Sequence, residues 1–217
     1  VQLDIERSVL EANNRLAEEN RARFERAGVW VVNIMSSPGA GKTSLLEKTI
    51  EALGGRLNFG VIEGDIQSDR DARRIADKGA QAVQINTAGG CHLDADMVGQ
   101  AADAFDLDRL DVLIVENVGN LVCPAEFSLG EADKIMLLSV AEGDDKPMKY
   151  PLMFQLSSVL LINKIDLLPH VDCDVGKIRS EARQLNPVQT IFEISCRTGD
   201  GLGDWNQWLL EKAAGRP

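Results

Sequence analysis

The sequence predicts a three-layer α/β fold, with a mostly parallel sheet of about seven strands and helices on both faces. Two observations carry that prediction. Short runs rich in Val, Ile and Leu alternate with longer stretches of helical periodicity, the pattern of strands joined by crossover helices. A glycine-containing octad, Ser-Ser-Pro-Gly-Ala-Gly-Lys-Thr at 36–43, also stands between the first such run and the helical stretch behind it.

Taken in order, Ile5, Val9, Ala12, Leu16, Phe24 and Ala27 recur at roughly helical spacing. Residues 1–27 therefore read as an amphipathic helix, over 3–27, packed on a domain of residues 28–217. Strands are expected at 30–35, 57–63, 82–85, 112–116, 134–140, 159–163 and 190–194, each a short apolar, β-branched run. Helices are expected at 42–53, 68–78, 94–104, 175–186 and 203–213. No repeat or low-complexity linker interrupts the series. In such a sheet the ligand-binding loops gather at the carboxyl ends of the strands.

A chain of 217 residues holds one α/β domain with a generous core and is too short for two. Its 44% hydrophobic and 26% charged residues are those of a soluble globular protein. A net charge of −11 argues against a nucleic-acid surface, which needs clustered Lys and Arg. It suits attraction of cations, although solubility alone also explains it. No apolar stretch is long enough for a membrane span, and residues 1–20 are too charged for a secretion signal. The chain starts at Val1 rather than Met, which leaves room for an upstream segment. Cys91, Cys123, Cys173 and Cys196 are few and unevenly spaced, unlike a disulfide framework, so free thiols and a cytoplasmic location are expected.

The octad is a phosphate-binding loop of the P-loop NTPase kind. Small residues at Gly39, Ala40 and Gly41 let backbone N–H groups converge on phosphate, Lys42 supplies charge, and Thr43 offers its hydroxyl to Mg²⁺. Ser36 stands where Gly or Ala is usual, and Ser44 reads either as a further phosphate contact or as a solvated helix residue. Asn163-Lys164-Ile-Asp166 ends another apolar run. Its Asp accepts hydrogen bonds from guanine N1–H and the 2-amino group, which adenine lacks, while the Lys164 stem lies along the base. Three fixed residues arise by chance about once in 8,000 positions, so in ~3% of chains this long. Following a phosphate loop in chain order, the pattern points to GTP.

Glu116-Asn-Val-Gly119 stands where GTPases carry Asp-x-x-Gly, with a carboxylate for Mg²⁺ and a Gly N–H that senses the γ-phosphate. Asp65 reads either as a second Mg²⁺ ligand, direct or through water, or as a helix cap. Ser195-Cys196-Arg-Thr-Gly199 resembles the loop whose backbone contacts guanine O6, with Cys196 packed against the base. Lys42, Asp65, Glu116 and Gly119 are thus the candidate catalytic set, acting by positioning and charge neutralisation. Hydrolysis by a lone subunit is expected to be slow.

Gly89-Gly-Cys91-His92-Leu-Asp-Ala95 places a thiol beside one of only two histidines at a predicted helix start, where the helix would favour the thiolate. Cys123 lies seven residues past Glu116, inside the segment a γ-phosphate would move. Thiolate and imidazole are ligands for Zn²⁺ and Ni²⁺. The same cysteines read singly are small core residues, and adjacent side chains often diverge. Three ligands also leave a four-coordinate shell incomplete, so water or a symmetry-related chain must complete it.

Three segments together carry a resemblance: Thr87-Ala-Gly-Gly-Cys-His-Leu-Asp-Ala95, Val115-Glu-Asn-Val-Gly-Asn-Leu-Val-Cys-Pro-Ala125 and Glu142-Gly-Asp-Asp-Lys-Pro-Met-Lys-Tyr-Pro151. From about Gly28 to Leu210 the chain resembles the HypB family, GTPases that assist nickel insertion during [NiFe]-hydrogenase maturation. The urease accessory GTPase is similar but lacks the Asn-Leu-Val-Cys-Pro run. The resemblance implies a GTP-dependent homodimer with nickel or zinc held by Cys91, His92 and Cys123 at the subunit interface, pooled across a two-fold axis. It implies as partners a hydrogenase large-subunit precursor and other nickel-maturation proteins, with no nucleic acid and no membrane. Lys146 is expected near the dimer contact, either reaching nucleotide in trans or solvated. Some members carry an N-terminal Cys-rich motif or His-rich tract, and this sequence shows neither: either it relies on the G-domain site alone or such a segment was removed, so strong nickel storage is not expected of this sequence as it stands. Two other readings stay open: a dimeric binding module with a structural zinc, and a passive nickel buffer.

Overall fold

The computed structural model describes residues 5–65, 74–87 and 89–215, the side chains of 5–7 and 65 excepted. The seven strands are β1 (Trp30–Ser36), β2 (Phe59–Asp65), β3 (Gln81–Asn86), β4 (Val112–Glu116), β5 (Asp133–Ser139), β6 (Val159–Asn163) and β7 (Thr190–Glu193). They form one sheet in the order β3-β2-β4-β1-β5-β6-β7. Every pairing is parallel, so the sheet expected to be mostly parallel is wholly so. The apolar runs explain this: β1, β4 and β6 are buried at every position, as strands covered on both faces must be.

The described helices are α1 (Ile5–Ala27), α2 (Lys42–Leu53), α3 (Ala95–Ala102), α4 (Cys123–Glu126), α5 (Lys146–Lys149), α6 (Pro151–Leu156), α7 (Val175–Leu185) and α8 (Leu202–Ala214). Side-chain alternation along β1 sorts them into layers. Trp30, Val32 and Ile34 pack with Leu45 and Ile50 of α2 and with Trp205 and Leu209 of α8. On the opposite face Val31 packs with Phe24 of α1 and Val98 of α3, and Met35 with Phe154 of α6 and Ile178 of α7.

Some element ends differ from the sequence reading. β2 begins and ends two residues later than 57–63, and Val140 leaves β5 to open a 3₁₀ turn capped by Ser139. Asp94 is the cap of α3 rather than its first residue, accepting from the Met97 N–H at 2.8 Å. The short helices α4, α5 and α6, each with Pro in its first turn, escaped prediction because four to six residues carry no readable period. Of the helix expected at 68–78, residues 68–73 lie outside the described residues, and 74–76 are helical.

Helix α1 turns a different face inward from the one its apolar spacing suggests. Asn13, Ala17, Asn20 and Phe24 are buried, whereas Val9 is 49% exposed. The asparagines explain the rotation. Asn13 accepts from the Ala95 N–H at 2.9 Å and donates to Ser128 O at 2.8 Å. Asn20 donates to Ala95 O at 2.7 Å and to Leu129 O at 3.1 Å. Backbone groups of two loops thus gain partners they would otherwise lack, and that outweighs burial of one valine.

Candidate nucleotide and metal sites

The carboxyl ends of β1, β2 and β4 open on a cleft of about 450 Å³. The phosphate loop crosses it from β1 to α2. Gly39 and Gly41 have φ of 75° and 109°, and Gly41 caps α2 without a side chain. The helix therefore turns its first-turn N–H groups and its positive dipole end toward the cleft, with no acidic residue in the first turn to compete. Lys42, 8% exposed, donates from Nζ to Ser36 Oγ at 2.9 Å, so the unusual Ser36 holds the ammonium at the mouth of β1. Ala40 is buried, and Ser44 lines the cleft.

Thr43 Oγ1 donates to Glu116 Oε1 at 3.0 Å, which brings together two of the predicted Mg²⁺ ligands. The third, Asp65, ends β2, and its side chain lies outside the described residues. A carboxylate that the sequence reading passed over lines this cleft: Glu63, 2% exposed, is the direct register partner of Glu116 across β2 and β4. Two acids side by side in a buried sheet repel when both are ionised, and a cation between them or a shared proton relieves that. The signal was present in the sequence as an apolar strand ending in Glu, but only the register pairs it with Glu116. Arg74 also lines the cleft and grips Glu47 of α2 through two contacts of 2.9 and 2.6 Å. Gly119 lies against the phosphate loop, where a Cβ would sit 2.9 Å from Pro38.

A second cleft, about 310 Å³, adjoins the first and shares Gly41, Ser44 and Lys164 with it. Its far wall holds Asp166 and Cys196. Lys164 takes the left-handed conformation, φ 64°, and donates from Nζ to Gly39 O at 2.7 Å. Ser195 Oγ donates to Asp166 Oδ1 at 2.6 Å, and the Cys196 N–H donates to Asn163 Oδ1 at 3.3 Å. The Asn163–Asp166 and Ser195–Cys196 segments are therefore cross-linked to each other. Burial pushes the Cys196 thiol up to about 11, so it is a neutral, apolar wall. Cys173 is half-buried beside Ile178 and its neighbours.

Cys91, His92 and Cys123 come together, their ligand atoms all within 4.8 Å of one another. Cys91 Sγ lies 3.3 Å from His92 Nδ1 and 3.1 Å from Cys123 Sγ. The adjacent pair thus converges rather than diverging. Cys91 sits ahead of the Asp94 cap, not in the first turn of α3, while Cys123 opens α4. The His92 ring packs against Phe127, tilted by 34° with centroids 3.9 Å apart. Burial lowers the His92 pKa, opposed by Asp94 and Glu126, which favours the neutral imidazole that binds metal. The shared hydrogen bond with Cys91, and then burial, raise that of Cys123. Two thiols and an imidazole are a donor set for soft and borderline cations. Lys146, expected to be solvated or in trans contact, is mostly buried and donates to Glu142 O and to Asp145 Oδ1.

Residues 30–193 match the family model described as CobW/HypB/UreG, nucleotide-binding domain. The hydrogenase maturation factor HypB of Azotobacter vinelandii is 55% identical over 207 residues, covering 95% of this chain and 68% of that protein. The crystal structure of HypB from Helicobacter pylori in complex with nickel superposes with a TM-score of 0.89 at 42% identity, over 94% of this chain and 95% of that one. HypB from Archaeoglobus fulgidus gives 0.89 at 40% identity, over 94% and 99%. With both sequence and fold shared along nearly the whole length, this chain belongs to the CobW/HypB/UreG nucleotide-binding family, as a member of its HypB branch.

Proposed function

We propose that this chain is a GTP-hydrolysing nickel metallochaperone, a cytoplasmic homodimer that helps load nickel into a [NiFe]-hydrogenase precursor. One observation carries the reading: the Cys91/His92/Cys123 cluster takes Cys123 from the chain segment that leaves the phosphate cleft at Gly119. A ligand in the cleft and a metal at the cluster therefore act on one stretch of backbone.

In this reading the first-turn N–H groups of α2 and Lys42 take the phosphates, and Asp166 reads guanine with Ser195 and Cys196 beside it. The oxygen donors of Thr43 and Glu116, with Asp65 and the neighbouring Glu63, fit Mg²⁺. That ion would supply charge neutralisation on the phosphates. The Gly119 N–H senses the γ-phosphate, and hydrolysis releases its loop. Nickel, or zinc in its place, is cargo on the two sulfurs and one nitrogen, and a second chain completes the shell across a two-fold axis. Support for that dimer comes from Met148, Leu152 and Leu156, apolar residues 64%, 39% and 45% exposed at four-residue spacing, on and beside the helix α6 against which α4 packs. The recipient is a hydrogenase large-subunit precursor or another nickel-maturation protein.

The test is nickel and zinc affinity, with stoichiometry per chain, in the apo, GDP and non-hydrolysable GTP-analogue forms. A difference between nucleotide forms that Cys123→Ala abolishes supports gated delivery. Equal binding in all forms would leave the metal structural, or the protein a nickel buffer, and sink the proposal.

A further inference from the structure

One buried side chain joins the nucleotide loop to the metal cluster. Asn117 is 1% exposed, and its carboxamide bonds to its own loop and to two other segments. Its Oδ1 accepts from the Val118 N–H at 2.9 Å and from the Leu93 N–H at 3.1 Å. Its Nδ2 donates to Asn33 Oδ1 of β1 at 3.1 Å. The backbone N–H of Asn117 donates to Ile34 O at 3.0 Å, so its main chain is anchored to the strand that feeds the phosphate loop. Val118 and Gly119 line the phosphate cleft, with Gly119 in contact distance of Pro38. Leu93 is fully buried and directly follows His92.

We infer that Asn117 is the positioning residue that couples nucleotide to metal, by holding the Val118 and Leu93 N–H groups on a single oxygen. The inference rests on the gated-delivery reading above and names the part that performs the gating. If the Val118–Gly119 peptides shift with the phosphates, one of two things follows. Leu93 follows the shift and turns Cys91 and His92 with it, or a buried N–H is left without an acceptor, which is costly. A second link spans the same gap: Asn120 donates to Cys91 O at 3.2 Å and accepts from the Val122 N–H at 2.9 Å. That link is exposed, so water replaces either bond at little cost. Burial makes the Asn117 link the stiff one.

The experiment measures nickel affinity in the GDP and GTP-analogue forms, at saturating nucleotide, for the unaltered chain, Asn117→Ala and Asn120→Ala. The unaltered chain is expected to show a ratio in the usual coupling range, about 5–150-fold, and Asn117→Ala a ratio within about twofold of one while still binding nickel. Asn120→Ala should keep most of the ratio. A full ratio in a folded Asn117→Ala overturns the inference and leaves gated delivery standing. A ratio of one in the unaltered chain overturns gated delivery itself, and the inference with it. Amide exchange on the unaltered chain covers a variant that does not fold. Protection of the Leu93 and Val118 N–H groups should change together between the two nucleotide forms, and a change at Val118 alone overturns the inference.

Discussion

Gly41 and Asn163, the one in the phosphate loop and the other opening the Asn-Lys-Ile-Asp segment, are in contact. A Cβ on Gly41 would stand 2.5 Å from Asn163 Nδ2, which itself donates to Ala40 O at 2.9 Å. Gly41 also has φ 109°, where an L side chain is strained. Gly41→Ala is expected to lose about 1–3 kcal/mol of stability from backbone conformation alone. It should also separate the two loops and weaken nucleotide binding. Chemical denaturation and nucleotide titration together check this, and an unchanged midpoint with unchanged affinity would refute the contact.

Asp166 faces the second cleft with Ser195 Oγ on its Oδ1. If its carboxylate accepts two hydrogen bonds from guanine, each is worth about 1.5–3 kcal/mol as a bond to a charged group. Asp166→Asn should then cost GTP on the order of 100-fold in affinity or more. The amide should prefer xanthosine triphosphate, whose 2-oxo group accepts where guanine donates. Competition titrations against both nucleotides decide the matter, and equal GTP affinity in the variant would be fatal to this assignment.

Cys196 is held neutral by burial, its thiol pushed up to about 11. The thiolate is the reacting species, so iodoacetamide at pH 8 should label exposed Cys91 well before Cys196. Peptide mass spectrometry over a time course reads the order. Comparable rates at the two positions would mean that the second cleft is wetter than described.

Asp145 is depressed to about 2, first by its hydrogen bond to Lys149 and then by that to Lys146. A lowered carboxylate stabilises the fold fully above its unfolded pKa, about 3.9, and loses the contribution as pH falls through the folded value. The stability difference between the unaltered chain and Asp145→Asn should therefore be flat from pH 7 to 5 and shrink between pH 4 and 2. Denaturant midpoints across that range test it. A difference that vanishes already at pH 5 would mean the Lys146 and Lys149 contacts do not form.

The phosphate loop and the Asn-Lys-Ile-Asp segment were readable because each packs its chemistry into consecutive residues. The metal cluster was readable only in part. Cys91 and His92 are neighbours, but their convergence on Cys123 depends on where the loop ending at α4 turns back. Glu63 and Asn117 were not readable as functional candidates. The first needs the register of β2 on β4, and the second needs the Leu93 amide brought to its side chain. Helix α1 misled for the same reason, since Asn13 and Asn20 look like surface residues until the loops they serve are in place.

The strand order carries a consequence for how this chain is made. β1 pairs only with β4 and β5, and β2 pairs with β3 and β4, so β1 and β2 never pair with each other. Until residues 112–116 leave the ribosome, β1 and β2 lack the strand that joins them, and each keeps an apolar edge without its native neighbour. Synthesis of β1 and β2 thus runs ahead of the strand that unites them. The phosphate loop is complete in sequence long before it has a floor to stand on.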